Sequence, residues 1–133
     1  MKQPNGYILL ISVLIVAAVS TSIIAALVIF GVAHERTALS LQQGIEARAL
    51  ADACADNALE RLISDVTYTG GDTITIGTQS CSVPAISGSG DSNRTIQASS
   101  TVGGATKRVE VVVTTVGPPP TVSQWKEVAE FSF

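Results

Sequence analysis

Hydrophobic positions follow three different patterns along the chain. Residues 7–33 are one apolar run without a single Asp, Glu, Lys, Arg or His. A short polar stretch, Lys2, Gln3, Pro4, Asn5 and Gly6, precedes it. About 20 apolar residues span a bilayer as a helix, so this run suffices with some to spare. The second pattern is helical with one apolar face. At about 100° per residue, Ala47, Leu50, Ala51, Cys54, Ala58 and Leu62 fall in one arc. Asp52, Asp56 and Glu60 fall on the other side. No proline or turn cluster interrupts residues 7–65, so a single helix is predicted, ending near Ser64 and Asp65. Gly31 and Gly44 are its weak points, each costing up to about 1 kcal/mol relative to alanine.

The third pattern has a period of two and begins at Asp72. Residues 73–76 alternate, Gly77 and Thr78 supply a two-residue turn, and residues 79–83 alternate again up to Pro84. A Gly/Ser-rich loop separates these from a third strand at 94–99. Gly103 and Gly104 then turn the chain into the strongest strand, 107–114, with Val109, Val111 and Val113 on one face. Gly70, Gly71, Gly103 and Gly104 read as turn glycines. Strands this close in sequence imply an antiparallel meander. Pro118, Pro119 and Pro120 form a stiff stretch. Residues 123–131 read as a short returning edge segment with Trp125 as a packing anchor. The expected fold is α+β, a long N-terminal helix packed on a small antiparallel sheet of about four strands.

Composition changes this picture only in part. The chain has 133 residues, and its 46% hydrophobic content is inflated by the apolar run. The remainder is one small domain with a marginal core. The net charge of −3 arises after the run, and an acidic surface disfavours nucleic-acid phosphates and anionic lipid headgroups. Lys2 precedes the run, and His34, Glu35 and Arg36 follow it with mixed sign. The positive-inside rule therefore predicts a cytoplasmic N-terminus and a body outside. A cleaved secretory signal fits less well. Its apolar core is about 7–15 residues and closes with small residues, whereas here Val32, Ala33, His34, Glu35 and Arg36 read as continuing helix.

Two cysteines remain in a compartment that permits disulfides. Cys54 lies on the apolar stripe and Cys81 shares a strand face with Val83, which favours a Cys54–Cys81 bond over two buried thiols. No metal site is expected, since two Cys and a distant His34 make no ligand set. No cofactor loop and no credible Ser-His-Asp or Cys-His pairing is present, so no enzyme is expected. Asn93, Arg94 and Thr95 match the glycan-acceptor pattern, which is common by chance. DNA binding would rest on Arg94, Lys107 and Arg108 alone, few against the acidic balance.

The polar leader ending in Gly6, the apolar helix from Tyr7, the amphipathic extension and the small sheet together resemble the type IV pilin and pseudopilin family. The likeness covers the whole chain in architecture and is specific in sequence over residues 2–62. It implies a leader at 1–6, a membrane-spanning and filament-core helix at 7–33, an amphipathic continuation at 34–65 and a sheet body at 66–133. It implies cleavage by prepilin peptidase between Gly6 and Tyr7, N-methylation of Tyr7, and assembly through Tyr7, Leu10, Ile11, Leu14 and Ile15. The implied partners are other pilin subunits and the inner-membrane assembly platform. The implied location is the inner membrane first and an extracellular filament afterwards. One position departs from the family. Most members carry Glu where this chain has Ile11, and those lacking it resemble the type II secretion K-like pseudopilin and the X-like minor pilin. Residues 46–62 also look like those subunits. Two alternatives remain open. One is a filament-body pilin without the acid. The other is an uncleaved, signal-anchored binding protein.

Overall fold

The computed structural model describes residues 5–131. A single helix, α1, covers Asn5–Ser64 and passes through Gly31 and Gly44 without a break. It is followed by β1 (Gly70–Ile76), β2 (Gln79–Ala85), β3 (Ser92–Val102), β4 (Ala105–Thr115) and β5 (Thr121–Val128). The chain divides into two compact units, Met1–Leu39 and Ser40–Phe133. In the described part of the first unit the chain is helical throughout, and its large apolar side chains are exposed.

The second unit is an α+β body. Among the described residues its sheet has five strands in the order β1-β2-β3-β4-β5, all antiparallel. Two tight turns set the register. Gly77 and Thr78 close β1 on β2, with Ile76 opposite Gln79. Gly103 and Gly104, both at positive φ, close β3 on β4, with Val102 opposite Ala105. A two-residue turn with both central residues at positive φ matches the right-handed strand twist. Helix and sheet meet through small side chains on the helix. Ala47, Ala51, Cys54, Ala55, Ala58 and Leu62 pack on Ile74, Val83, Ile96, Ala98, Val109, Val111 and Val113. The alanines let the helix approach the sheet closely while the branched strand residues fill the space. Cys54 and Cys81 are bonded, with Cα atoms 6.5 Å apart, joining the helix to β2. The Ser100 hydroxyl adds a bond from β3 to the Ala47 carbonyl.

Four expectations need correction. Among the described residues the sheet has five strands, not about four: the returning segment beyond the polyproline stretch is a full edge strand, β5, which starts at Thr121 and pairs with β4 from Thr115 to Arg108 across two register shifts. Pro84 does not end β2 either, because pairing resumes at Ala85 opposite Gly70 and needs no amide from Pro84. Gly70 and Gly71 begin β1 rather than form a separate turn. At Gly70 a side chain would run into the Pro84 carbonyl, so close backbone approach accounts for this glycine. Trp125 is not a buried anchor. It is 39% exposed, and its indole N–H donates to Asp52 Oδ1 at 2.9 Å.

Candidate functional site

The segment marked out by the sequence is the start of α1. Gly6 and Tyr7 both lie within the helix, so the junction between them sits in its first turn. Lys2, Gln3 and Pro4 lie outside the described residues, and with them the basic residue used for topology. A side chain built on Gly6 would meet nothing within 4 Å. Glycine in a helix costs up to about 1 kcal/mol relative to alanine. Among the described residues no packing and no positive φ accounts for it.

Beyond the junction, Tyr7, Leu10, Ile11, Leu14 and Ile15 are all exposed. The helix carries no acidic residue in its first turn. Its hydroxyls are turned inward on its own backbone. Ser12 donates to the Leu9 carbonyl at 2.9 Å, Ser20 to Val16 at 2.8 Å, Thr21 to Ala18 at 2.9 Å and Ser22 to Val19 at 2.7 Å. Each donor is satisfied within its own turn, so the segment presents a continuous apolar surface with no unmet donor among these four. The helix is long and apolar enough to cross a membrane.

On the body, charged groups form a strip where α1, β4 and β5 meet. Arg48 bonds Glu127 at 3.1 Å and lies 3.8 Å from Asp52. Lys107 also bonds Glu127, and Lys126 bonds Glu110 at 3.0 Å. The Lys126 bond, helped by Gln97, holds the Glu110 carboxyl below the usual carboxylate range against the effect of its burial. The Lys107 bond does the same for Glu127. Asp52 therefore joins this strip through Trp125 and Arg48 instead of a freely solvated face. Asp56 and Glu60 do face solvent.

A groove of about 470 Å³ lies at the C-terminal end of α1, lined by Glu60, Arg61, Ser64, Asp65, Tyr68 and Asp72. Arg61 bonds Asp72 at 3.1 Å and stacks 5.9 Å above the Tyr68 ring. Burial, and then the Asp72 carboxylate, push the Tyr68 phenol up. Among the described residues no three His, Cys, Asp or Glu side chains are arranged to hold a metal.

Sequence patterning gave no warning of Arg94. It is 2% exposed and donates to the carbonyls of Val66, Gly90 and Tyr68 at 3.0, 3.3 and 2.7 Å. Of the three basic residues considered for DNA, Arg94 is buried, Lys107 is paired with Glu127, and Arg108 donates to the Ala129 carbonyl. They form no open basic surface. Comparison with protein-family models, with curated proteins and with solved structures finds no match to this chain.

Proposed function

We propose that this chain is a structural subunit of a type IV pilus-like filament, made as a precursor and cut after Gly6 by a prepilin peptidase. The observation that carries this reading is Gly6 itself. A glycine stands at the polar–apolar junction, and no contact or positive φ among the described residues accounts for its small size. Recognition by an external enzyme supplies the reason. Cleavage removes Lys2 and leaves the apolar helix whole, with Tyr7 as a methylated first residue. The subunit then waits in the inner membrane with its body outside. On extraction by the assembly platform, the segment carrying Tyr7, Leu10, Ile11, Leu14 and Ile15 exchanges lipid for neighbouring helices.

The Ile11 substitution supports a minor subunit, related in kind to the K-like pseudopilin or X-like minor pilin. A filament-body subunit without the acid is the second reading, favoured by the exposed apolar surface that Tyr7, Leu10, Ile11, Leu14 and Ile15 offer to copies of the same chain.

Mass spectrometry of the mature N-terminus tests the main proposal, with N-methylated Tyr7 expected. A chain starting at Met1, or near Ala33, overturns it. Gly6→Leu separates it from an uncleaved, signal-anchored binding protein. The substitution stops processing and removes the subunit from surface filaments on the pilin reading, and changes neither on the other.

A further inference from the structure

Residues 87–93 are all exposed, a Ser/Gly loop that ends in Asp91, Ser92 and Asn93 at the start of β3. Among the described residues Asn93 is the one residue other than glycine at positive φ, +53°. Asparagine tolerates that conformation, but the backbone does not ask for a hydroxyl two residues on. Asp91, Asn93 and Thr95 together read acid-x-Asn-x-Thr, and Asn-x-Thr is the acceptor pattern for an N-linked glycan. Between the two, Arg94 turns inward to the carbonyls of Val66, Gly90 and Tyr68, while the Asn93 amide and the Thr95 hydroxyl make no side-chain hydrogen bond among the described residues. The fold uses neither group.

The position leaves room for a bulky sugar. Arg94 ties this end of β3 to the chain just after α1 stops. The other end of β3 turns at Gly103 over Gln43, near the point where the helix enters the body. Asn93 is therefore at the far end of the body from that entry, away from the buried stripe between Ala47 and Leu62. A glycan there stays solvated and displaces no packed side chain. In the folded body, though, the backbone around it is taken. Arg94 pairs with Val113 and Thr95 with Val112 on one side, and Thr95 exchanges amide bonds with Ser87 on the other. A transferase has to read the stretch before that pairing forms. Chain order leaves such an interval, because β4 follows β3 and emerges later.

We propose that Asn93 is an N-glycosylation site, filled as the chain emerges and before β3 pairs with β4. The Asn93 side-chain nitrogen bonds the anomeric carbon of an oligosaccharide carried on a polyprenyl diphosphate. The bond from that carbon to the diphosphate oxygen breaks, the lipid diphosphate leaves, and the amide gives up one proton. The lipid-linked sugar and a membrane oligosaccharyltransferase are the co-reactants. The inference rests on the body lying outside, as in the filament reading.

The test is mass spectrometry of the full-length chain from membranes of its own cells. A discrete sugar mass should sit on the peptide that carries Asn93. Asn93→Gly, which suits the positive φ, and Thr95→Val, which keeps the branched strand shape, should each abolish it. Thr95→Ser should keep it. A mass that survives Asn93→Gly, or that sits only on Ser87, Ser89 or Ser92, overturns the site. Protease added outside spheroplasts reports the side of the membrane in the same preparation. A body that is digested but bears no sugar on Asn93 overturns this inference alone, whereas a protected body overturns the outside location and the filament reading beneath it.

Discussion

The Arg94 guanidinium spends its donors on three backbone carbonyls and so ties the loop after α1 to the loop before β3. Arg94→Met should leave those carbonyls unmet and cost roughly 3 kcal/mol. Chemical denaturation of the detergent-solubilised chain measures this, and an unchanged midpoint would refute the role. Arg94→Lys should recover little, because one ammonium cannot reproduce a planar fork of donors. Gly103 is the second sensitive position. It sits at φ +56°, and a Cβ there would collide with the Gln43 side chain. Gly103→Ala should cost about 1–2 kcal/mol, and Gln43→Ala in the same chain should return the steric part and leave the backbone strain. Neither position was legible from periodicity. Arg94 reads as an ordinary strand residue until the Val66 and Gly90 loops converge on it. The two glycines at 103 and 104 read correctly as a turn, but the helix beneath that turn is a tertiary fact. Trp125 misled in the opposite sense. A lone tryptophan suggests core, yet β5 lies at the sheet edge and its indole reaches sideways to Asp52.

At the level of elements, the helix and the β1–β4 meander followed from the hydrophobic pattern, because 3.6-residue and two-residue periods are distinct over such lengths. The stripe from Ala47 to Leu62 is buried as expected, and Ala55 is buried with it. β5 was harder to read because it is exposed along nearly all its length and shows little alternation of burial. The Cys54–Cys81 bond closes a separation of 27 residues. Replacing both cysteines by alanine should cost about 3 kcal/mol, read as a lower denaturation midpoint. A midpoint equal to the parent's would show that the packed stripe suffices without the bond. The β4–β5 pair should be the acid-sensitive part of the sheet. Glu110 and Glu127 are held below their usual values by Lys126 and Lys107. Their stabilisation is therefore complete above the unfolded carboxylate value, about 4.3, and is lost as pH falls through the lower folded values. Amide exchange in β5, compared with β3 in the same sample, should rise on going from pH 5 to pH 3. Glu110→Gln should blunt that rise, and a β5-to-β3 ratio insensitive to pH would count against it.

For the whole molecule, the division between Leu39 and Ser40 falls inside one helix, so anchor and body share a single element. The body's core draws seven of its buried residues from that helix: Ala47, Leu50, Ala51, Cys54, Ala55, Ala58 and Leu62. With 27 residues from Tyr7 to Ala33 free of charge, the protein should stay with membranes through high salt and alkaline carbonate. Its release into the supernatant would contradict an apolar anchor. The disulfide gives this arrangement a mechanical meaning. Tension applied along the helix enters the body at its N-terminal end and meets the Cys54–Cys81 bond two turns past Ala47. From there a covalent link passes the load sideways into β2, and the hydrogen-bonded ladder shares it with the other strands. The helix cannot be drawn out from under the sheet by slipping. Reductant should therefore change the force at which a tethered body yields far more than it changes the fold at rest.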